Sequence, residues 1–298
     1  MISRMNSLTL FPLAFLSLVL SRTYAISKTA LVPTLVGNED ELVAANGKLG
    51  LLAGVVGFAA AIPAGLLQLI DPRATLAMSA VMFVVASVAS LRLPRDVAIA
   101  PKTGAVVETK ESHLTVMRHA TMALPVRHAA LSMMLLRGVV GFLFFHVAFW
   151  LRDERAGTAW FAFALGLSSL AIMTANAISR LISRVMSERA MMTVALAITS
   201  LTGIITGVIG GITAGIVLIA IANGMGTIGR LAFESIIQRE SPDANRARAF
   251  VKFETRNQIV WVGSGLVAVV LTLPGAVGFA IVGVACAAGL IYFLATSN

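Results

Sequence analysis

Few side chains in this sequence could do chemistry, and those that could are set among apolar neighbours. Arg137 lies eight residues past Ala129 in the apolar run 129–151, flanked by Leu135, Leu136, Val139 and Val140. At 1.5 Å per residue that is about 12–14 Å into a helix, close to the middle of a hydrocarbon layer about 30 Å thick. A charge at that depth is costly and is by default a functional one. Its own run holds no acidic residue. Two readings stay open. Arg137 faces a central cavity, meeting an anionic substrate or a carboxylate from another helix, or it snorkels or pairs for structure alone.

Asn223 stands eleven residues into the run 212–232, before Gly224-Met225-Gly226. A polar side chain beside a glycine-softened stretch lines a cavity or makes an interhelical hydrogen bond. His146 follows Arg137 by nine residues, so at 100° per residue the two point to opposite sides of one helix. It is a candidate for titration, or a packed ring. All fourteen acidic residues fall between apolar runs or at their edges, and only Glu234 and Glu254 border the membrane. Arg230 and Glu234 are four apart and can pair on one helix face. Glu234, Glu254, Arg230 and His146 are therefore the candidates for proton coupling or gating, and Arg137 and Asn223 those for substrate binding.

No metal site or catalytic group is expected. His113 and His119 are six apart with no cysteine or acidic cluster to complete a site. Phosphate-binding loops, G-x-S-x-G and H-E-x-x-H are all absent from the sequence, so neither an enzyme nor a cofactor is expected. Cys286 has no second cysteine to pair with and reads as a small core hydrophobe.

The elements that hold these residues follow from composition. The chain has 298 residues, 58% hydrophobic and 12% charged, with a mean hydropathy of +0.90. A soluble domain is nearer half apolar and a quarter charged. The expected class is an all-α integral membrane protein whose main partner is the lipid bilayer. Nine apolar runs are discernible, at 8–32, 49–70, 74–91, 129–151, 158–179, 190–209, 212–232, 257–273 and 276–295. A β-barrel would alternate instead. The net charge of +9 falls in the breaks between runs, which is membrane topology and not a nucleic-acid face.

Placing the first run outside-to-inside leaves sixteen Lys and Arg residues in inner segments against four outside, with Arg22, Lys28 and Arg137 within runs. The positive-inside rule then predicts the N-terminus outside and the C-terminus in the cytoplasm of a plasma-membrane protein. Trp150 and Trp160 flank the outer turn 152–157, where interfacial aromatics belong. Alternatively, residues 8–20 followed by Thr23-Tyr24-Ala25 read as a secretory signal peptide. The long polar stretch 92–128, with Pro94, Pro101 and Pro125, reads as a cytoplasmic linker between a three-span part, 1–91, and a six-span part, 129–298.

A loose repeat joins the two parts. ALVPTLV, then EDELVAAN and a glycine-containing run, is echoed about 205 residues later by SIIQR, then SPDANRARAF and another such run. KTALVPTLVGNEDELVAANGKLGLLAGVVGFAAAIPAGLL resembles the fourth helix, inner loop and fifth helix of a major facilitator superfamily exporter. The stretch 224–271, with QRESPDANRARAF, is similar to the tenth and eleventh helices, and NAISRLISRVMSERAMM to the loop between the eighth and ninth. In this register the nine runs are helices four to twelve, and the first three are not in this chain. The resemblance implies efflux of a small molecule by alternating access. Two rivals remain: a truncated non-transporting remnant or scaffold working through 92–128, and a membrane-embedded enzyme using the group around Glu234 and Glu254.

Overall fold

The computed structural model describes residues 10–36, 41–91, 124–154, 158–240 and 246–296. Among these every regular element is a helix. They are α1 (Leu10–Leu35), α2 (Leu42–Ile70), α3 (Pro72–Ser90), α4 (Leu124–Asp153), α5 (Thr158–Val185), α6 (Glu188–Ile209), α7 (Ile212–Glu240), α8 (Arg246–Leu271) and α9 (Gly275–Thr296). Seven are long and apolar enough to cross a membrane: α2 to α7, and α9. Of the other two, α8 opens on Arg246, Arg248, Lys252, Glu254 and Arg256, and α1 contains Arg22 and Lys28.

Several helices run past the apolar runs that announce them. Hydropathy marks the segment suited to lipid, whereas the ladder of i→i−4 hydrogen bonds continues until a cap or a breaker stops it. So α7 runs on to Glu240 and α8 starts at Arg246, which puts Glu234 and Glu254 inside helices. Likewise α4 starts at Leu124, with Pro125 in its first turn, where a missing N–H costs nothing. The expected linker 92–128 therefore ends in helix; its residues 92–123, including His113 and His119, lie outside the described residues. The turn between α6 and α7 is made by Gly210 and Gly211 at φ 67° and 86°, a region that favours glycine. Ser187 starts α6 by accepting a hydrogen bond from the Ala190 N–H at 3.3 Å.

Helices α4 to α9 form one bundle. Its close pairs are α4 on α8, α5 on α7, and α6 on α9, with α7 also packed on α4 and α6, and α9 on α4. Exchanging α4, α5, α6 for α7, α8, α9 maps this set onto itself. The pair α4–α8 becomes α7–α5, α6–α7 becomes α9–α4, and α4–α7 and α6–α9 return to themselves. The bundle core has two layers. One contains Met133, Leu136, Met192, Leu196, Phe233 and Phe253; the other contains Leu143, Val147, Trp150, Ile219 and Phe279. At the α6–α9 seam a Cβ on Gly203 would stand 2.6 Å from the Gly283 nitrogen, so only small residues permit that approach.

Outside this bundle, α2 leans on α5, α3 packs against α2, and α1 lies along α8. The apolar side chains Leu52, Val56, Phe58, Ile62, Phe83 and Val84 of α2 and α3 point outward. An exposed apolar face of this length suits hydrocarbon and not water.

Candidate functional site

Where α1 and α2 meet the six-helix bundle there is a cavity of about 290 Å³. Five of the nine helices among the described residues contribute charged or amide groups to it. Lys28 comes from α1, Asn46 from α2, Arg137 from α4, Arg230 and Glu234 from α7, and Glu254 from α8. Each sits where the helix period turns it inward: Arg230 and Glu234 are one turn apart on a single face of α7. A narrow extension of about 30 Å³ runs on between Phe233, Phe253 and Asn257.

The charges are held in a network. Arg230 Nη1 donates to Glu234 Oε1 at 2.9 Å, and its Nη2 donates to Asn176 Oδ1 of α5 at 3.5 Å. On α8, Gln258 Nε2 donates to Glu254 Oε1 at 2.7 Å. One turn beyond Glu234 on α7, Gln238 is 1% exposed and ties three helices. Its Nε2 donates to the Thr29 carbonyl of α1 at 2.9 Å, and its Oε1 accepts from Asn46 Nδ2 of α2 at 2.8 Å. Thr29 and Asn46 both line the cavity, so this amide tie forms its rim on the side where α7 ends. Just past it, Arg239 and Ser235 of α7 both donate to Glu188 Oε1 at the start of α6.

The residues expected from sequence divide into two groups. Arg137, Arg230, Glu234 and Glu254 converge on the one cavity, although they are up to 117 positions apart in sequence. Asn223 is half-buried and donates to the Ile219 carbonyl of its own helix at 2.8 Å; it does not line this cavity. His146 lies toward the opposite end of α4, buried, with Nε2 3.3 Å from the Gly275 carbonyl. Its ring stacks on Phe142 and meets Phe279 edge-on. Sequence reasoning passed over Asn46, Asn176 and Gln238, each close to the end of an apolar run. Lys28 was legible as a charge within a run, and its part in the cavity depends on how α1 leans on α8.

The folded chain is an all-α protein of the membrane-embedded type, with a charged cavity where two groups of helices meet. It is similar to an uncharacterized protein of Mycobacterium leprae (strain TN), 24% identical over 315 aligned positions that take in 95% of this chain and 53% of the relative. The chain thus spans about half the length of that relative. No family model and no solved structure matches it.

Proposed function

We propose that this chain forms the substrate path of a small-molecule transporter of the major facilitator type, working by alternating access as an efflux permease. The observation that carries the reading is the packing of α4 to α9, which is unchanged when the first three helices are exchanged for the last three. Three crossings separate the members of each equivalent pair, so in a chain that crosses at every helix they run in opposite directions. That is an inverted repeat, a hallmark of transporter folds, whose substrate sites lie at repeat interfaces. The charged cavity supports it, because ionisable groups inside a membrane mark substrate or ion pathways.

In this reading α1 and α8 also cross, giving nine spans in a plasma membrane, with the N-terminus outside and the C-terminus inside. Arg137 contacts substrate, and Glu234 and Glu254 carry coupling or gating. The test is flux: Arg137→Ala abolishes uptake or efflux of a transported solute in vesicles while membrane abundance stays at the wild-type level. Unchanged flux removes Arg137 from the path. The outward apolar faces of α2 and α3 favour a second reading, in which the chain is a non-transporting part that needs further helices. In that case the reconstituted chain alone moves nothing.

A further inference from the structure

Asn257 opens the apolar run 257–273, yet the fold sets it eleven residues past the start of α8 at Arg246. It is 5% exposed and lines the narrow extension of the cavity. The other buried amides among the described residues are hydrogen-bonded: Asn46 to Gln238, Gln238 to the Thr29 carbonyl, and Asn176 to the Ile172 carbonyl. The Asn257 side chain makes no hydrogen bond to any of the described residues. An amide can make up to four, and leaving them unmade in a buried place is costly. The extension measures about 30 Å³, whereas one water needs roughly 10–15 Å³ and two to four polar partners. Charged groups of α4, α7 and α8 share its wall, Glu234 and Glu254 among them, and Met133, Phe233 and Phe253 close it.

We propose that this extension is a water site, in which one or two water molecules join the Asn257 amide to the carboxylates of Glu234 and Glu254. Neither carboxylate has to be free for this. Glu234 holds Arg230 at 2.9 Å and Glu254 accepts from Gln258 at 2.7 Å, but a carboxylate offers about four lone-pair sites. Asn257 Nδ2 donates to the water oxygen, and the water donates to the carboxylates. The bridge links α7 to α8, which otherwise touch little. It also relays protons between the two glutamates. The water takes a proton from the protonated carboxyl of one as it releases a proton to the carboxylate of the other, so it is regenerated and keeps no charge. The relay rests on the coupling role proposed above for Glu234 and Glu254; the water site itself does not.

The experiment is hydroxyl-radical footprinting of the full chain in detergent, with radicals made by X-ray radiolysis of water and oxidation read residue by residue by mass spectrometry. Radicals born from a bound water oxidise the side chains around it, methionine readily. Met133 is 1% exposed and lines the extension; Met192, 0% exposed in the same core layer, lines neither the extension nor the main cavity. Met133 is expected to oxidise roughly tenfold faster than Met192. Asn257→Leu removes the amide and fills the space, and lowers the Met133 rate about fivefold with Met192 unchanged. Asn257→Ser keeps a hydrogen-bonding group and leaves room, so Met133 stays within about twofold of the wild-type rate. The serine variant decides the matter where the leucine variant misfolds, which shows as oxidation of Met192. Equal rates for Met133 and Met192, a Met133 rate unchanged in folded Asn257→Leu, or one lost in folded Asn257→Ser overturns the proposal. The relay is read in vesicles loaded with the pH dye pyranine and given an external acid pulse: proton entry exceeds that of protein-free vesicles and falls in Asn257→Leu. Met133 oxidation without such entry upholds the water site and sinks the relay together with the coupling role it rests on. Proton entry that persists in Asn257→Leu keeps the coupling role and removes this water from its path.

Discussion

Replacing Gln238 by leucine isolates the amide tie at the cavity rim. Leucine keeps much of the volume but neither donates nor accepts. The substitution removes the 2.9 Å bond to the Thr29 carbonyl and the 2.8 Å bond from Asn46. Interhelical side-chain bonds in membrane proteins are worth about 0.6 kcal/mol each. Asn46, 5% exposed, is left with a buried amide that has lost its partner, at a cost of about 1–3 kcal/mol. The loss, about 2–3 kcal/mol in all, falls only on the arrangement in which α1, α2 and α7 meet. Once α7 swings away, water reaches the same groups. The equilibrium between closed and open rims then moves by roughly 30- to 150-fold toward open.

Leu49 lines the cavity, so Leu49→Cys reports access. In inside-out vesicles, the rate at which an impermeant maleimide labels it should rise at least tenfold when Gln238→Leu is added. The double substitution Asn46→Leu with Gln238→Leu should return part of that rise, because removing both partners leaves one fewer orphaned group. A labelling rate within twofold of the parent, in protein that remains monodisperse, would refute the claim that this tie closes the cavity rim.

Other perturbations test the packing and the topology. Gly203→Ala drives a Cβ to 2.6 Å from the Gly283 nitrogen and 2.7 Å from its Cα; helix backbones cannot yield as side chains do, so a cost of about 1–3 kcal/mol is expected, seen as a melting temperature several degrees lower in detergent. Gly57 has open space around it, so Gly57→Ala should hold or raise that temperature, Ala being about 1 kcal/mol the better helix former; equal shifts in the two variants would show that the α6–α9 seam is not tight. Glu188→Gln breaks the pair with Arg239, whose side chain is 37% exposed, so solvent screening limits the loss to about 1 kcal/mol or less and thermal stability should barely move; a large drop would mean that the pair locks α6 to α7. In the proposed orientation Arg118→Cys and Arg248→Cys label from the inner face alone, and labelling from outside would overturn that orientation.

Much of this fold is written in one-dimensional patterns. The runs from 49 to 91 and from 129 to 232 each enclose the greater part of an observed helix, because a bilayer selects about 20 consecutive apolar residues. The turn at Gly210-Gly211 falls in the break between the runs 190–209 and 212–232. Helix ends were less legible: Glu234 and Glu254 sit within α7 and α8, since charged residues extend a helix into the interface as readily as they leave it. Arg137 was visible as a charge in an apolar run, whereas Asn46, Asn176 and Gln238 looked like ordinary interfacial polar residues.

The sequence by itself determined that this is an α-helical chain suited to lipid, roughly where its helices lie and which breaks between them are cationic. These are sums over neighbouring residues, and hydrocarbon and the backbone read them locally. Only the tertiary structure decided that Lys28, Arg137, Arg230, Glu234 and Glu254 share one cavity and that Asn223 and His146 lie apart from it. That outcome depends on how helices remote in sequence rotate and pack, which close small-residue approaches such as Gly141 of α4 against the Trp261 backbone of α8 help to set. Apolar side chains are interchangeable toward lipid, so hydropathy carries no record of which helix meets which.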